Sequence, residues 1–208
     1  MKAATQHKNH HEQQRNNMQP AKHDGIFKSA QEAMVFACNF SDQQYALSPM
    51  AKILQRGPYG SGRGLSGLDG AAQSGMVLAE MEKLDNAHIL MLVARCAPKR
   101  ERCSCTHACC SGWKMNPAYR DAISQLADVV LKEVSAEITN RRFRVAVISK
   151  FFGEKITIKE AAADADLSLR TAERHAAAIN RYLKDGEKAA LTAFYARLDE
   201  VGMLMEVV

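Results

Sequence analysis

Two helix-start signals eleven residues apart, Thr157 and Ser168, constrain this chain more than any other feature. Thr157-x-x-Glu160 has the form of a capping box, in which hydroxyl and carboxylate each satisfy a backbone N–H of the other residue. Ser168 is a second N-cap, directly ahead of Leu169. The interval holds only a short helix, rich in Ala161, Ala162, Ala163 and Ala165, and a turn at Asp166-Leu167, with Leu167 facing the core. Upstream, Phe143, Val147, Ile148 and Phe151 repeat at helical spacing until Gly153 stops them. Downstream, Ala172, His175 or Ala176, Ile179 and Leu183 form an inward face. Arg170, Thr171, Glu173, Arg174, Ala177 and Arg181 form an outward one, to about Lys184. Three helices joined this tightly, with small residues where two must cross, predict a helix-turn-helix over residues 143–184.

That motif carries a definite chemistry. The first residues of its last helix reach base edges in the major groove of duplex DNA, and arginine pairs with both acceptors of guanine. Arg170 and Arg174 are the candidate base readers, with Ser168 and Thr171 at the same helix start. Lys155, Lys159, Arg181 and Lys184 suit phosphate contacts, which position without reading sequence. The same residues also admit a hairpin that merely packs, or a helix-turn-helix recruited to bind protein. The run Glu160-Ala-Ala-x-x-Ala-x-Leu167-Ser168-x-x-Thr171-Ala172-x-x-His175-x-x-x-Ile179-x-x-x-Leu183 resembles the recognition unit of LuxR-type and sigma-factor region-four domains. The resemblance implies binding to duplex DNA and a structural place for His175. Ala161 and Ala172 stand where those domains carry larger aliphatics.

Charge follows the same geography. The net charge is only +5, but residues 169–184 hold Arg170, Arg174, Arg181 and Lys184 against Glu173 alone. Residues 95–120 hold Arg95, Lys99, Arg100, Arg102, Lys114 and Arg120 against Glu101 alone. Clustered cations of this kind neutralise phosphates with release of counterions; a solvated basic surface is the plainer alternative. With 47% apolar and 25% charged residues the chain reads as globular. It has no apolar run long enough to span a membrane, and its polar start lacks a secretion signal, which together predict a cytoplasmic protein.

The remaining segments predict an almost wholly helical fold without strands. Residues 1–25 are polar, contain His7, His10, His11 and His23, and are read as a disordered tail. Residues 26–115 form a helical region: a capping box at Ser29-Ala-Gln-Glu32 opens a helix to about Phe40, and residues 71–95 are helical with a break at Leu84-Asp85-Asn86. Residues 57–70 are a glycine-rich loop. Its Gly62-x-Gly64-x-x-Gly67 follows no strand and is not a nucleotide site; Arg56 and Arg63 there could touch a phosphate backbone. Residues 116–208 begin at Asn116-Pro117, an N-cap followed by proline at the first helical position. A long helix to about Ile138, the helix-turn-helix and a separate last helix over 187–205 follow.

Five of the six cysteines fall between positions 96 and 110. Zinc takes four thiolate or imidazole ligands as a tetrahedron. Cys103, Cys105, Cys109 and Cys110 are the first-choice set, with Cys96 and His107 as substitutes because adjacent Cys109 and Cys110 compete for one ion. A redox pair, an iron–sulfur cluster or buried thiols are the other uses of such a cluster. Catalysis at zinc needs an open position and a base, and Glu101 is the only acid nearby, so the chain is not read as an enzyme. Trp113 is expected to pack the knuckle against the following helix. A cysteine knuckle ahead of a C-terminal helix-turn-helix, with Gly67-Leu-Asp-Gly70-Ala-Ala and Cys109-Cys110-Ser-Gly-Trp113, resembles phage late-gene antitermination proteins of the Q type. That resemblance implies a prophage-type transcription regulator that binds DNA near a late promoter and engages RNA polymerase.

Overall fold

A computed structural model of the chain describes residues 25–44, 67–103, 105, 111–135 and 137–205. The chain is predominantly helical. The described helices are α1 (Ala30–Gln44), α2 (Gly67–Met81), α3 (Asn86–Cys96), α4 (Pro117–Glu133), α5 (Arg141–Phe151), α6 (Ile158–Ala163) and α7 (Leu169–Glu200). None of them is long and apolar enough to cross a membrane. The polar tail over 1–24 and the glycine-rich segment over 57–66 lie outside the described residues.

Helix starts follow the capping chemistry. Ser29 Oγ accepts from the Glu32 amide at 3.1 Å, and the Glu32 carboxylate accepts from the Lys28 amide at 2.8 Å. Asn116 Oδ1 accepts from the Ala118 amide at 2.8 Å, with Pro117 in the first turn of α4. Asn140, which the sequence reading passed over, caps α5 through the Phe143 amide at 3.1 Å. The break between α2 and α3 falls at Glu82–Asp85, as expected.

Three expectations are corrected. First, strands exist: β1 (Arg100–Arg102) and β2 (Trp113–Met115) pair antiparallel, Arg100 opposite Met115 and Arg102 opposite Trp113. Three residues per strand are too few to show alternation. Second, α4 ends at Glu133 rather than near Ile138. The apolar period runs on through Val134 and Ile138, but the chain turns at Ser135 and the buried Arg144 side chain takes the carbonyls of Ile138 and Thr139. Third, the helix expected to end near Lys184 and the separate helix over 187–205 are one helix, α7. Gly186 lies inside it because α3 crosses there: a Cβ would stand 2.8 Å from Met91 Cε.

α7 is the spine. Its buried residues include Ala172, Ile179, Leu183, Ala190, Phe194 and Leu198, and the helix packs against α1, α2, α3, α5 and α6. The buried side chains on both sides of the join at residue 116 belong to one contiguous core. Ion pairs fix the spine laterally, Arg95 forking onto Glu187 and Arg197 reaching Glu80 at 2.9 Å. The Arg95 guanidinium also lies over the rings of Phe151 and Phe152, which ties α3, α5 and α7 at one point. After Gly202 (φ +70°) residues 203–205 pair with residues 26–27, bridging Phe27 and Leu204 in parallel.

Candidate nucleic-acid interface

α5, α6 and α7 are joined as tightly as the sequence requires. Gly153, at φ +92°, turns the chain out of α5. Thr157 then opens α6 with both halves of the capping box: its Oγ1 accepts from the Glu160 amide at 3.2 Å, and Glu160 Oε2 accepts from the Thr157 amide at 2.9 Å. These bonds, to the backbone first and the hydroxyl second, hold the Glu160 carboxyl below its ordinary value. Ala161, Ala162 and Ala165 are buried, and so are Ala172 and Ala176 of α7, which α6 packs against. Alanine at Ala161 and Ala172 is therefore what lets two backbones approach.

The turn between α6 and α7 closes on Asp166, at φ +53°, a left-handed conformation that aspartate tolerates better than most side chains. The Leu167 amide returns to the Ala162 carbonyl at 2.9 Å, and Leu167 packs partly buried against the core. Ser168 caps α7 through the Thr171 amide at 3.2 Å, while its hydroxyl donates to Thr171 Oγ1 at 2.8 Å. Both hydroxyls named as candidate contacts thus already have partners within the cap.

Arg170, Arg174, Arg181 and Lys184 are all exposed on α7, and Lys159 is exposed on α6. Among the described residues none of the five forms an ion pair. Leu169, 48% exposed at the tip of α7, and Lys188, exposed further along it, escaped the sequence reading. In the sequence Leu169 reads as a helix-start residue, and Lys188 lies beyond the expected helix end. His175 points inward against Phe143, with ring centroids 6.3 Å apart, and neither ring nitrogen has a hydrogen-bond partner among the described residues. It belongs to the core of this unit.

The cysteine segment is only partly described. β1 and β2 bracket it, and the Cys103 amide donates to the Gly112 carbonyl at 2.9 Å, so the ends of the intervening loop are held together. Cys103 and Cys105 place their sulfurs 3.1 Å apart. Two thiolates on one tetrahedral zinc stand about 3.8 Å apart, so the pair as placed is closer together than a shared ion would hold it. His107, Cys109 and Cys110 lie outside the described residues, and the described ones alone contain no group of three metal donors. Cys96 sits apart from the hairpin, buried at the end of α3, where burial pushes its thiol up to about 12. Trp113 is 52% exposed rather than packed inward, its ring under the Arg102 guanidinium.

Comparison with models of protein families, with curated proteins and with solved structures finds no match to this chain.

Proposed function

We propose that α5–α6–α7 is a DNA-binding helix-turn-helix and that the chain is a transcription regulator rather than an enzyme. One observation carries this reading. A capped helix, held by a tight turn against a short alanine-faced helix, presents Arg170 and Arg174 on its first two turns, exposed and without ion pairs among the described residues. Placed in a major groove, the two guanidinium groups meet guanine edges, each pairing worth about 1–3 kcal/mol of discrimination. Lys159, Arg181 and Lys184 meet phosphates on either side, and Ser168 and Thr171 fix the helix start between them.

The cysteine hairpin serves this reading as a brace. Cys103 and Cys105, with two donors from Cys109, Cys110 or His107, would hold one structural zinc, closing the loop between β1 and β2 next to α4; the buried Cys96 at the end of α3 is not part of this set. The arrangement of knuckle and helix-turn-helix supports the narrower proposal of a prophage-type late-gene antiterminator that works with RNA polymerase in the cytoplasm of a bacterial host.

Selection of duplex DNA from a random pool tests the reading. A defined motif is expected, with binding that falls steeply as salt rises. Arg170→Ala combined with Arg174→Ala should cost about tenfold or more per arginine and flatten the sequence preference while the melting temperature stays put. Retained preference in that folded double variant refutes the base-reading assignment. Sequence-blind binding by the unaltered chain refutes the whole reading in favour of an adaptor that meets RNA polymerase through protein contacts.

A further inference from the structure

The exposed cations of α7 continue past the point where the sequence suggests a break. Arg170, Arg174, Arg181, Lys184 and Lys188 are exposed on one continuous helix. At 3.6 residues per turn they fall within about 80° of helix surface, and at 1.5 Å per residue they run for about 27 Å. Ala177 is the small residue between them. Asp185 stands at the edge of this stripe, Glu173 lies to its other side, and the Glu187 carboxylate is paired with Arg95. None of the five cations forms an ion pair with another described residue. Five like charges in line repel one another, and a polyanion relieves that repulsion.

The far end of the stripe also has shape. A groove of about 620 Å³ lies between the first turn of α1 and the second half of α7, lined by Ser29, Gln31, Lys184, Lys188 and Tyr195 and also by Glu187, whose carboxylate is paired with Arg95. The amide at the start of α1 is not what recommends it, since the Ser29–Glu32 capping box already occupies that helix end.

We infer that Lys188 and the groove it lines bind the sugar–phosphate backbone of the same DNA duplex, to one side of the bases read by Arg170 and Arg174. The inference rests on the DNA-binding reading above and adds a docking geometry to it. A helix entering tip-first leaves a major groove about 8.5 Å deep within two turns and carries Lys188 clear of the duplex. A helix laid along the groove keeps all five cations over DNA, since 27 Å corresponds to about 8 base-pair rises of 3.4 Å. α7 therefore lies lengthwise, and the footprint extends asymmetrically beyond the recognised bases.

The test uses the full chain, the duplex motif selected above and a salt titration. Each phosphate contact contributes about 0.9 to the slope of log affinity against log salt. Lys188→Gln should therefore make the slope shallower by about 0.9 and weaken binding about fivefold at 0.15 M salt, equally for the motif and its single-base variants. Lys188→Arg, which keeps the charge, should restore slope and affinity. Trimming the duplex on one flank should cost the unaltered chain the same factor and cost Lys188→Gln nothing further. An unchanged slope in Lys188→Gln, with sequence preference intact, overturns the inference and leaves the DNA-binding reading standing. Loss of sequence preference in the unaltered chain overturns both. Tightening of an acidic peptide by Lys188, with no effect on DNA, assigns the groove to protein and likewise overturns the inference.

Discussion

Removing the guanidinium of Arg144 should be among the most damaging single changes available to this fold. The side chain is 2% exposed. Among the described residues it faces no carboxylate at hydrogen-bond distance. Instead Nε donates to the Ala127 carbonyl at 2.7 Å, and Nη1 donates to the carbonyls of Ile138 and, at 2.8 Å, Thr139. The group thus closes the last turns of α4 and the connection into α5, and its burial lowers its pKa from the ordinary arginine value. Arg144→Met keeps the apolar stem and removes every donor. The three carbonyls then each lose a donor at about 1 kcal/mol, although that of Ala127, inside α4, keeps its helix bond. Thr139 is exposed and recovers a water, so about 2–3 kcal/mol should be lost. For a chain of this length that lowers the melting temperature by about 5–10 °C. Urea unfolding should show the same loss as a lower midpoint with an unchanged slope. Arg144→Lys, whose single ammonium does not reproduce the fork, should fall between the two. A methionine variant as stable as the unaltered chain would refute the reasoning, because desolvating the charge would then cost as much as its three bonds return.

His175 should behave in the opposite sense. Its two ring nitrogens are buried without partners among the described residues, so His175→Leu should raise stability by about 1 kcal/mol in thermal unfolding, and a loss of similar size would show that the imidazole has a partner. Gly186 and Gly25 should also respond differently to alanine. At Gly186 the new Cβ would stand 2.8 Å from Cε of the buried Met91, a flexible side-chain end that must shift, so the helix-propensity gain of up to about 1 kcal/mol should be largely offset and the net change small. At Gly25 it would stand 1.9 Å from the Leu204 carbonyl oxygen, and backbone cannot yield, so about 1–3 kcal/mol should be lost. The depressed Glu160 carboxyl stabilises the fold above the carboxylate's ordinary pKa of 4.5, and that contribution fades as pH falls through the lower folded value. A pH series of melting temperatures should therefore show a component on the acid side that Glu160→Gln abolishes.

Local chemistry made several elements legible in advance. Asn116-Pro117, Thr157 with Glu160, and Ser168 each announce a helix start through bonds made within four residues, and the structure shows those bonds. What escaped depends on distant partners. Asp185-Gly186 reads locally as an ending, yet Leu183, Ala190, Phe194 and Leu198 share one buried side and Met91 fills the space a side chain would take, so the helix runs on. Splitting that helix hid Lys188 from the basic stripe. The end of α4 was misplaced for a similar reason, since Val134 and Ile138 keep the period while a guanidinium from α5 dictates the turn. The hairpin could not be seen, because its pairing lies between segments too short to alternate. The candidate arginines were legible because exposure and spacing on one helix need no long-range information, whereas Trp113 was placed inward although it faces solvent under Arg102.

The parallel bridge between Phe27 and Leu204 has a kinetic consequence. The amides of Ile26 and Phe27 donate to the Met203 carbonyl at 2.9 and 3.1 Å, and the Met205 amide returns to the Phe27 carbonyl at 2.8 Å. Phe27, Met203 and Leu204 are all buried there, although they come from opposite ends of the described chain. During synthesis the segment around Phe27 leaves the ribosome long before its partner exists, so this closure is necessarily among the last contacts made. Non-local contacts of that kind require the largest loop to be closed and slow the final step of folding. On refolding, the amides of Ile26 and Phe27 are therefore expected to gain protection after those of α5–α6–α7.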